Sequence, residues 1–225
     1  TFVGGVHTLD ITPAALTITS SDVTKAYDTT VSALGTAIVD SSSGTQLFGD
    51  DTLSGGLFAF DDKHVSRDDD LNVLSDKTVS VSAVTVNDGR SGGNYTVSYS
   101  DNTSSTITPV EITVVGLVAL DKVYDGTNAA DLTAAAATLS GVLAGDDVTP
   151  SRATGTFVDK NVSYVDDVVG AEIMAKEVLA DTIYLDGADA ANYDMTPVSG
   201  LSAKITPMGI VPTIVAEDRI YDGTR

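Results

Sequence analysis

Short blocks of sequence recur along this chain with a period of 96 to 98 residues. Three of the blocks contain an aromatic residue or a proline, and a fourth is acidic. They are Ile11-Thr12-Pro13, Ile107-Thr108-Pro109 and Ile205-Thr206-Pro207; Tyr27-Asp28, Tyr124-Asp125 and Tyr221-Asp222; Asn94-Tyr95 and Asn192-Tyr193; and Gly49-Asp50-Asp51 with Gly145-Asp146-Asp147. Because both the order and the spacing are kept, the sequence indicates tandem repeats.

The length of the period determines the kind of repeat. Solenoid units have about 20–50 residues, whereas an independent β-sandwich domain has about 100. Residues 79–86 and 95–99 alternate apolar and polar side chains, as half-buried strands do. We therefore predict an all-β, mainly antiparallel fold of tandem immunoglobulin-like β-sandwich domains in a linear array. The alternative is a β-grasp-like unit with one short helix, because residues 129–137 are rich in alanine.

The repeated prolines indicate where one domain gives way to the next. Residues 1–13 are predicted to be the last strand of a preceding repeat, 14–109 the first repeat domain, 110–207 the second, and 208–225 the start of a third. Pro109 and Pro207 then lie at domain junctions, where proline stiffens the backbone and donates no ladder hydrogen bond. We accordingly expect this chain to be a fragment of a longer array.

The charge balance excludes several classes of partner. Lys and Arg together number 12 against 32 Asp and Glu, which gives a formal net charge of −20. Nucleic acid and anionic membrane surfaces are therefore not expected as partners, since both require clustered basic residues. No apolar run is long enough for a membrane helix, and the absence of Cys excludes disulfides and thiolate metal sites.

The recurring tyrosines are interpreted as structural residues. A packing solution must return in every repeat, so we expect Tyr27 and Tyr124 to pack in the core while the hydroxyl finds a partner. Tyr95 and Tyr193 are expected to lock a loop to a strand, in the manner of a corner tyrosine.

The residues that follow these tyrosines are typical of a turn. Asp28 and Asp125 suit a turn, and Gly126 after the second one accepts a positive φ. Thr29 replaces that glycine in the first repeat, and a β-branched residue disfavours a positive φ there.

Calcium binding is the sharpest alternative to a purely structural interpretation of the acidic loops. Calcium prefers 6–8 oxygen ligands, several of them carboxylate, and the candidate ligands are Asp68, Asp70, Asp166 and Asp167. An EF-hand match beginning at Asp68 fails, because Val73 and Val79 stand where glycine and glutamate are needed. Solvated acidic loops with no cofactor are therefore the favoured interpretation.

Catalysis is not expected. His7 and His64 are the only histidines, His64 aligns with Asn161, and no nucleophile, P-loop or metalloprotease motif occurs. A covalent alternative is an isopeptide bond from Lys63 or Lys160, since each recurs beside an acidic residue.

Several segments resemble a known family, the YDG repeat. They are YDGT at 124–127 and 221–224, LAGDDV at 143–148, GTFVDKNV at 155–162, GADAANY at 187–193 and ITP at 205–207. Such repeats and the related MBG-type repeats occur in very large bacterial surface proteins that resemble filamentous-haemagglutinin-type and biofilm adhesins. The resemblance implies a secreted, extracellular protein of the bacterial cell surface, with a structural or adhesive role and no catalytic residues.

Two functions follow from the resemblance and the repeats. The first is a stalk or spacer of a secreted adhesin, whose partners are the neighbouring repeats of the same chain. The second is a binding module that holds exopolysaccharide or a host surface, or self-associates. The second is less favoured for glycans, because the chain has no Trp and only 6% aromatic residues.

Overall fold

The computed structural model describes residues 10–223 and confirms the predicted all-β class. Strands make up 45% of the described residues, and none of these residues belongs to a helix of seven or more residues. Three short 3₁₀ turns occupy Ser41–Ser43, Val165–Asp167 and Ala190–Asn192. The helix considered for residues 129–137 is not formed. Its first half is a strand, because it pairs with a neighbouring strand that satisfies its backbone.

The first repeat contains seven strands in two sheets. They are β1 (Ala14–Ser20), β2 (Thr24–Ala26), β3 (Ala37–Val39), β4 (Thr52–Phe60), β5 (Lys77–Asn87), β6 (Tyr95–Tyr99) and β7 (Asn102–Thr108). One sheet has the order β3-β1-β6 and the other β2-β7-β5-β4. Most pairs are antiparallel, but β1 runs parallel to β6 and β2 parallel to β7. The chain thus passes from the first sheet, which contains β1, to the second sheet, which contains β2.

The second repeat has ten strands and keeps this plan. They are β8 (Val110–Val115), β9 (Val118–Ala119), β10 (Lys122–Val123), β11 (Ala129–Thr133), β12 (Thr138–Ser140), β13 (Thr149–Phe157), β14 (Lys176–Asp186), β15 (Tyr193–Met195), β16 (Leu201–Ala203) and β17 (Ile205–Thr206). The sheets are β12-β8-β15, β16-β14-β13-β11-β9 and the pair β10-β17. As in the first repeat, β8 is parallel to β15 and β10 parallel to β17.

Alternating side chains of these strands form the cores. In β1, Leu16 and Ile18 are fully buried and pack with Val86 of the other sheet and with Tyr95 of the neighbouring strand β6. A separate core gathers around Phe157, Val178 and Ile205. Each such side chain stabilises the fold by about 1.5–3 kcal/mol on burial.

The backbone divides into two compact units that differ from the sequence repeats. The first unit takes in the described chain up to Thr113 together with Leu139–Thr149 and Asp186–Thr196. The second unit takes in Val114–Thr138, Pro150–Leu185 and the described residues from Pro197 onward. Three stretches of the second repeat, residues 110–113, Leu139–Thr149 and Asp186–Thr196, therefore belong to the same compact unit as the first repeat. The predicted strand at residues 1–13 lies almost wholly outside the described residues, as does His7.

Candidate functional site

A lysine organises the turn that follows Tyr27. The Lys25 ammonium donates to Asp28 Oδ1 at 2.6 Å and to the Thr30 carbonyl at 2.7 Å. The same Asp28 oxygen accepts from the Thr30 N–H at 2.9 Å and the Thr30 hydroxyl at 2.8 Å. Aspartate and lysine together hold six residues of chain in one conformation.

The second repeat builds the same turn with the same residue types. The Lys122 ammonium pairs with Asp125 Oδ1 at 2.8 Å, and that oxygen accepts from the Thr127 N–H at 2.8 Å. Arg219 pairs with Asp222 three residues later, in the next copy of the motif. Sequence reasoning found the aspartates but missed the basic residue three positions before each of them. Its recurrence in a chain with only 12 basic residues is the signal that identifies it.

The residue after the aspartate adopts a left-handed conformation in every copy. Gly126 has φ 84° and Gly223 φ 80°, and Thr29 has φ 68°. The expectation that Thr29 would avoid a positive φ was therefore wrong. The hydrogen bonds around Lys25 and Asp28 hold the turn closed, so the strain at Thr29 is tolerated.

Replacing Thr29 by glycine is expected to stabilise the protein by about 0.5–1 kcal/mol, because the left-handed conformation costs a non-glycine residue about 1–2 kcal/mol. The greater freedom of glycine in the unfolded chain offsets part of that gain. The matched change Gly126→Thr is expected to destabilise by a similar amount. Urea unfolding of both variants checks the pair, and a loss of stability in Thr29→Gly would contradict the strain.

Asp125, in the turn of the second repeat, makes the stability of the protein dependent on pH. The Lys122 ammonium and the Thr127 donors lower the pKa of Asp125 to about 2. A lowered pKa in the folded state stabilises above the ordinary pKa near 4, and that contribution is lost as the pH falls through about 2. Asp125→Asn is therefore expected to unfold at lower urea than the wild type at pH 6, and the difference is expected to shrink steeply between about pH 4 and pH 2. Asp101→Asn, at an exposed residue, is the control with no such difference.

Tyr95 and Tyr193 each fasten a loop through the hydroxyl. The Tyr95 hydroxyl donates to Asp51 Oδ2 at 2.6 Å and accepts from the Phe48 N–H at 2.8 Å. The Tyr193 hydroxyl donates to Asp146 Oδ2 at 2.6 Å and accepts from the Leu143 N–H at 3.0 Å.

These bonds correct the alignment of the two acidic loops by one residue. Asp51 is the structural counterpart of Asp146, whereas the matched glycines paired Asp50 with Asp146. In both repeats the tyrosine hydroxyl accepts from one backbone N–H and donates to the aspartate three residues later in the chain, and the position of the glycine does not affect this spacing.

Tyr27 lies in an aromatic cluster within the first compact unit. Its side chain is 2% exposed, and its ring meets the Tyr193 ring edge-on at 5.8 Å and stacks on His64 at 6.4 Å. Its buried hydroxyl makes no hydrogen bond within residues 10–223, although Asp146 lies close by. Burial and the Asp146 carboxylate raise the pKa of Tyr27 well above its usual value.

Asn192 joins the second repeat to the first beside this cluster. Its side chain is 1% exposed, its Oδ1 accepts from the Val65 N–H at 2.9 Å, and its Nδ2 lies 3.0 Å from His64 Nδ1. Arg67 adds a bond to the Ala191 carbonyl at 2.8 Å and an ion pair with Asp194 at 2.9 Å. We call this set, formed by Tyr27, His64, Val65, Arg67, Asn192, Tyr193 and Asp194, the repeat contact.

Sequence reasoning missed most of the repeat contact, since it gave a role only to Tyr27 and Tyr193. His64 and Arg67 were given no role, because their positions hold Asn161 and Tyr164 in the second repeat. A contact made between two repeats need not be copied residue for residue, so the internal alignment carries no signal for it.

The candidate calcium ligands do not belong to the repeat contact. Asp68 is occupied by its own loop, since its carboxylate accepts from the Asp70 and Asn72 backbone N–H groups at 3.0 and 2.8 Å. Asp166 and Asp167 form a tight turn with φ of 54° and 58°. Among the described residues, no group of three or more acidic or histidine side chains could hold a metal ion.

The lysines and prolines hold structural positions. Lys63 Nζ lies 6.0 Å from the Tyr27 ring centroid, and the buried lysine that pairs with Asp62 is Lys77, at 2.9 Å. Next to Pro109, the Thr108 carbonyl accepts from the Tyr27 N–H at 2.8 Å, and the Thr206 carbonyl before Pro207 does the same for Tyr124.

Comparison with known proteins gave one finding. A family model described as YDG domain matches residues 12–104 and again residues 108–200. No curated protein and no solved structure matched the chain. Among the residues described, no helix has the length and apolarity that a membrane crossing requires.

Proposed function

The chain belongs to the YDG domain family, and from that premise we propose that its repeats are a non-catalytic spacer in the stalk of a large secreted bacterial adhesin. In this role the repeats hold a distal binding region away from the cell surface. Their partners are the neighbouring repeats of the same chain.

The repeat contact is the observation that carries this proposal. A spacer transmits reach only if consecutive repeats are held against one another, and Asn192 and Arg67 make specific bonds across that boundary in the chain. The covalent connection there is short, because β7 ends at Thr108 and β8 begins at Val110, with Pro109 between them. Proline restricts the backbone at that connection.

The charge supports the same role. A net charge of −20 keeps a protein soluble and makes neighbouring copies repel one another. An array exposed in bulk outside the cell benefits from both effects.

Small-angle X-ray scattering of the chain tests the spacer. We expect an elongated particle, and we expect Asn192→Ala to broaden its distribution of lengths, because the bonds that hold residues 186–196 of the second repeat to the first repeat are weakened. Asn94→Ala is the matched control and is expected to scatter like the wild type. A compact globular profile for the wild type would rule the spacer out.

A further inference from the structure

One edge of a sheet in the first repeat is only partly covered. Among the described residues, β4 pairs with β5 alone, and on its other side the segment before β3 makes two hydrogen bonds with it. The Ala33 N–H donates to the Phe58 carbonyl at 3.2 Å, and the Phe60 N–H donates to the Val31 carbonyl at 2.7 Å. After Ala33 the chain crosses to the other sheet, so residues 52–57 of β4 have no hydrogen-bonded strand on that side. We call residues 52–57 the open edge.

An apolar groove of about 620 Å³ runs along the open edge. Its lining includes Leu34, Gly35, Leu53, Gly56, Leu57 and Phe58. Leu34 is 99% exposed and Leu57 is 68% exposed. The Phe58 ring lies so close to Gly35 and Gly56 that a Cβ at either glycine would stand 2.7 or 2.9 Å from it. Apolar side chains therefore lie beside backbone groups that no other strand pairs with in the described part of the chain.

The second repeat has the same edge in β13. Its pairing of Thr156 with Ala129 stands 97 residues after the bridge between Ala59 and Ser32, so the two edges align residue for residue. There β11 covers β13 at residues 154–156, and a smaller groove of about 380 Å³ lies beside the rest. Both repeats therefore leave part of this edge uncovered.

The second repeat protects its uncovered edge against a further strand, and the first repeat does not. Pro150 and Arg152 stand on that edge of β13, and the first repeat has Leu53 and Gly55 in their places. Proline donates no ladder hydrogen bond, and a charged side chain on an edge opposes pairing with another strand. Residues 52–60 contain neither a proline nor a charged residue. The first repeat thus offers a pairing edge that its counterpart blocks.

The charges around the open edge indicate what binds there. No lysine or arginine occurs between Lys25 and Lys63, whereas six aspartates do. One of them, Asp50, lies two residues before β4, is exposed, and makes no side-chain hydrogen bond within residues 10–223. Surroundings of one sign attract a partner of the opposite sign. A basic partner therefore fits this edge, and a second copy of the chain, which carries −20, does not.

We propose that the open edge is a docking site for an extended peptide of another protein, with an uncharged middle and with Lys or Arg at its ends. The peptide adds a strand to β4. Its backbone pairs with residues 52–57, and its alternate side chains contact Leu34 and Leu57. Its basic ends face the aspartates around the groove. This binding function goes beyond the spacer and does not depend on it.

Nuclear magnetic resonance of the full chain tests the docking. The probe is a synthetic nonapeptide of alternating Thr and Val with Lys at both ends, added up to about 1 mM, the range of weak binding. We expect the amide signals of Ser54 and Gly56 to move progressively. Those of Ser151 and Ala153, at the same positions of the protected edge, are expected to stay in place. The same peptide with Glu at both ends is expected not to bind.

A substitution on the edge sharpens the test. Leu57→Lys is expected to bind the Lys-ended peptide about tenfold more weakly or worse, because it removes an apolar contact and repels the peptide's ammonium groups. Leu179→Lys makes the same change at a leucine of the second repeat that is 50% exposed, and it is expected to bind like the wild type. Because both leucines are largely exposed, both variants keep the fold.

Four results would overturn the docking. The first is a lack of response at Ser54 and Gly56 up to the highest concentration of peptide. The second is an equal response to the Glu-ended peptide, and the third is undiminished binding by Leu57→Lys. The fourth is a shift of the same signals as the chain alone is concentrated, which would make a second copy the occupant. None of them bears on the spacer, because the scattering experiment tests that separately.

Discussion

Replacing Asn192 by alanine is expected to destabilise the first compact unit by about 2–4 kcal/mol. The substitution leaves the buried Val65 N–H without its acceptor, which alone costs about 1–3 kcal/mol. It also removes the contact with His64 and opens a void at a side chain that is 1% exposed. Urea unfolding measures the loss, and hydrogen exchange at the Val65 amide locates it.

Asn94→Ala is the matched control, because the same Asn-Tyr pair stands in a different environment. Asn94 is exposed, and within residues 10–223 the only hydrogen bond of its side chain reaches the Asp88 carbonyl at 3.4 Å. We expect that variant to lose no more than about 0.5 kcal/mol. Equal losses at Asn94 and Asn192 would mean that the asparagine acts within its own repeat, and the repeat contact would then have no energetic role.

Replacing Tyr193 by phenylalanine is expected to cost about 1–3 kcal/mol, although the ring stays in place. The hydroxyl serves a carboxylate and a backbone N–H at once, and both lose their partner. Burial and the Asp146 carboxylate raise the pKa of Tyr193 to about 12, so the bond persists in alkaline solution until the pH approaches that value. Thermal unfolding at pH 7 measures the effect.

Tyr27→Phe also removes a hydroxyl and keeps the ring, but its expected effect on stability is much smaller than that of Tyr193→Phe. The Tyr27 hydroxyl is buried without a hydrogen bond in the described part of the chain, so its removal is expected to change stability by less than about 0.5 kcal/mol. The ring contacts with Tyr193 and His64 are kept. A loss at Tyr27→Phe as large as that at Tyr193→Phe would show that Tyr27 also bonds to Asp146.

Local structure was the part that sequence predicted best. The alternation in β5 and β6, and the Asp-Gly turn after Tyr124, follow from interactions between residues close in the chain. The all-β class followed from the same patterns. Thr29 departs from this, because its preference for negative φ is a local property overridden by hydrogen bonds from Lys25, four residues earlier, which hold the turn.

The alanine-rich stretch of the second repeat shows a second limit. Alanine favours a helix in isolation, yet β11 is a strand because Ala129–Asp131 pair with β13. Propensity differences of tenths of a kcal/mol per residue are smaller than the benefit of completing a sheet.

By itself the sequence determined that the chain repeats, that the repeats are β domains, and which tyrosines, aspartates and prolines recur in them. These are properties of each repeat, and they recur because every repeat has to form the same fold. Only the tertiary structure decided that Asn192 is buried and Asn94 exposed, and that His64 and Arg67 bind the second repeat. The physical reason is that a contact between repeats depends on which surfaces meet, and that is not encoded in a motif that two repeats share.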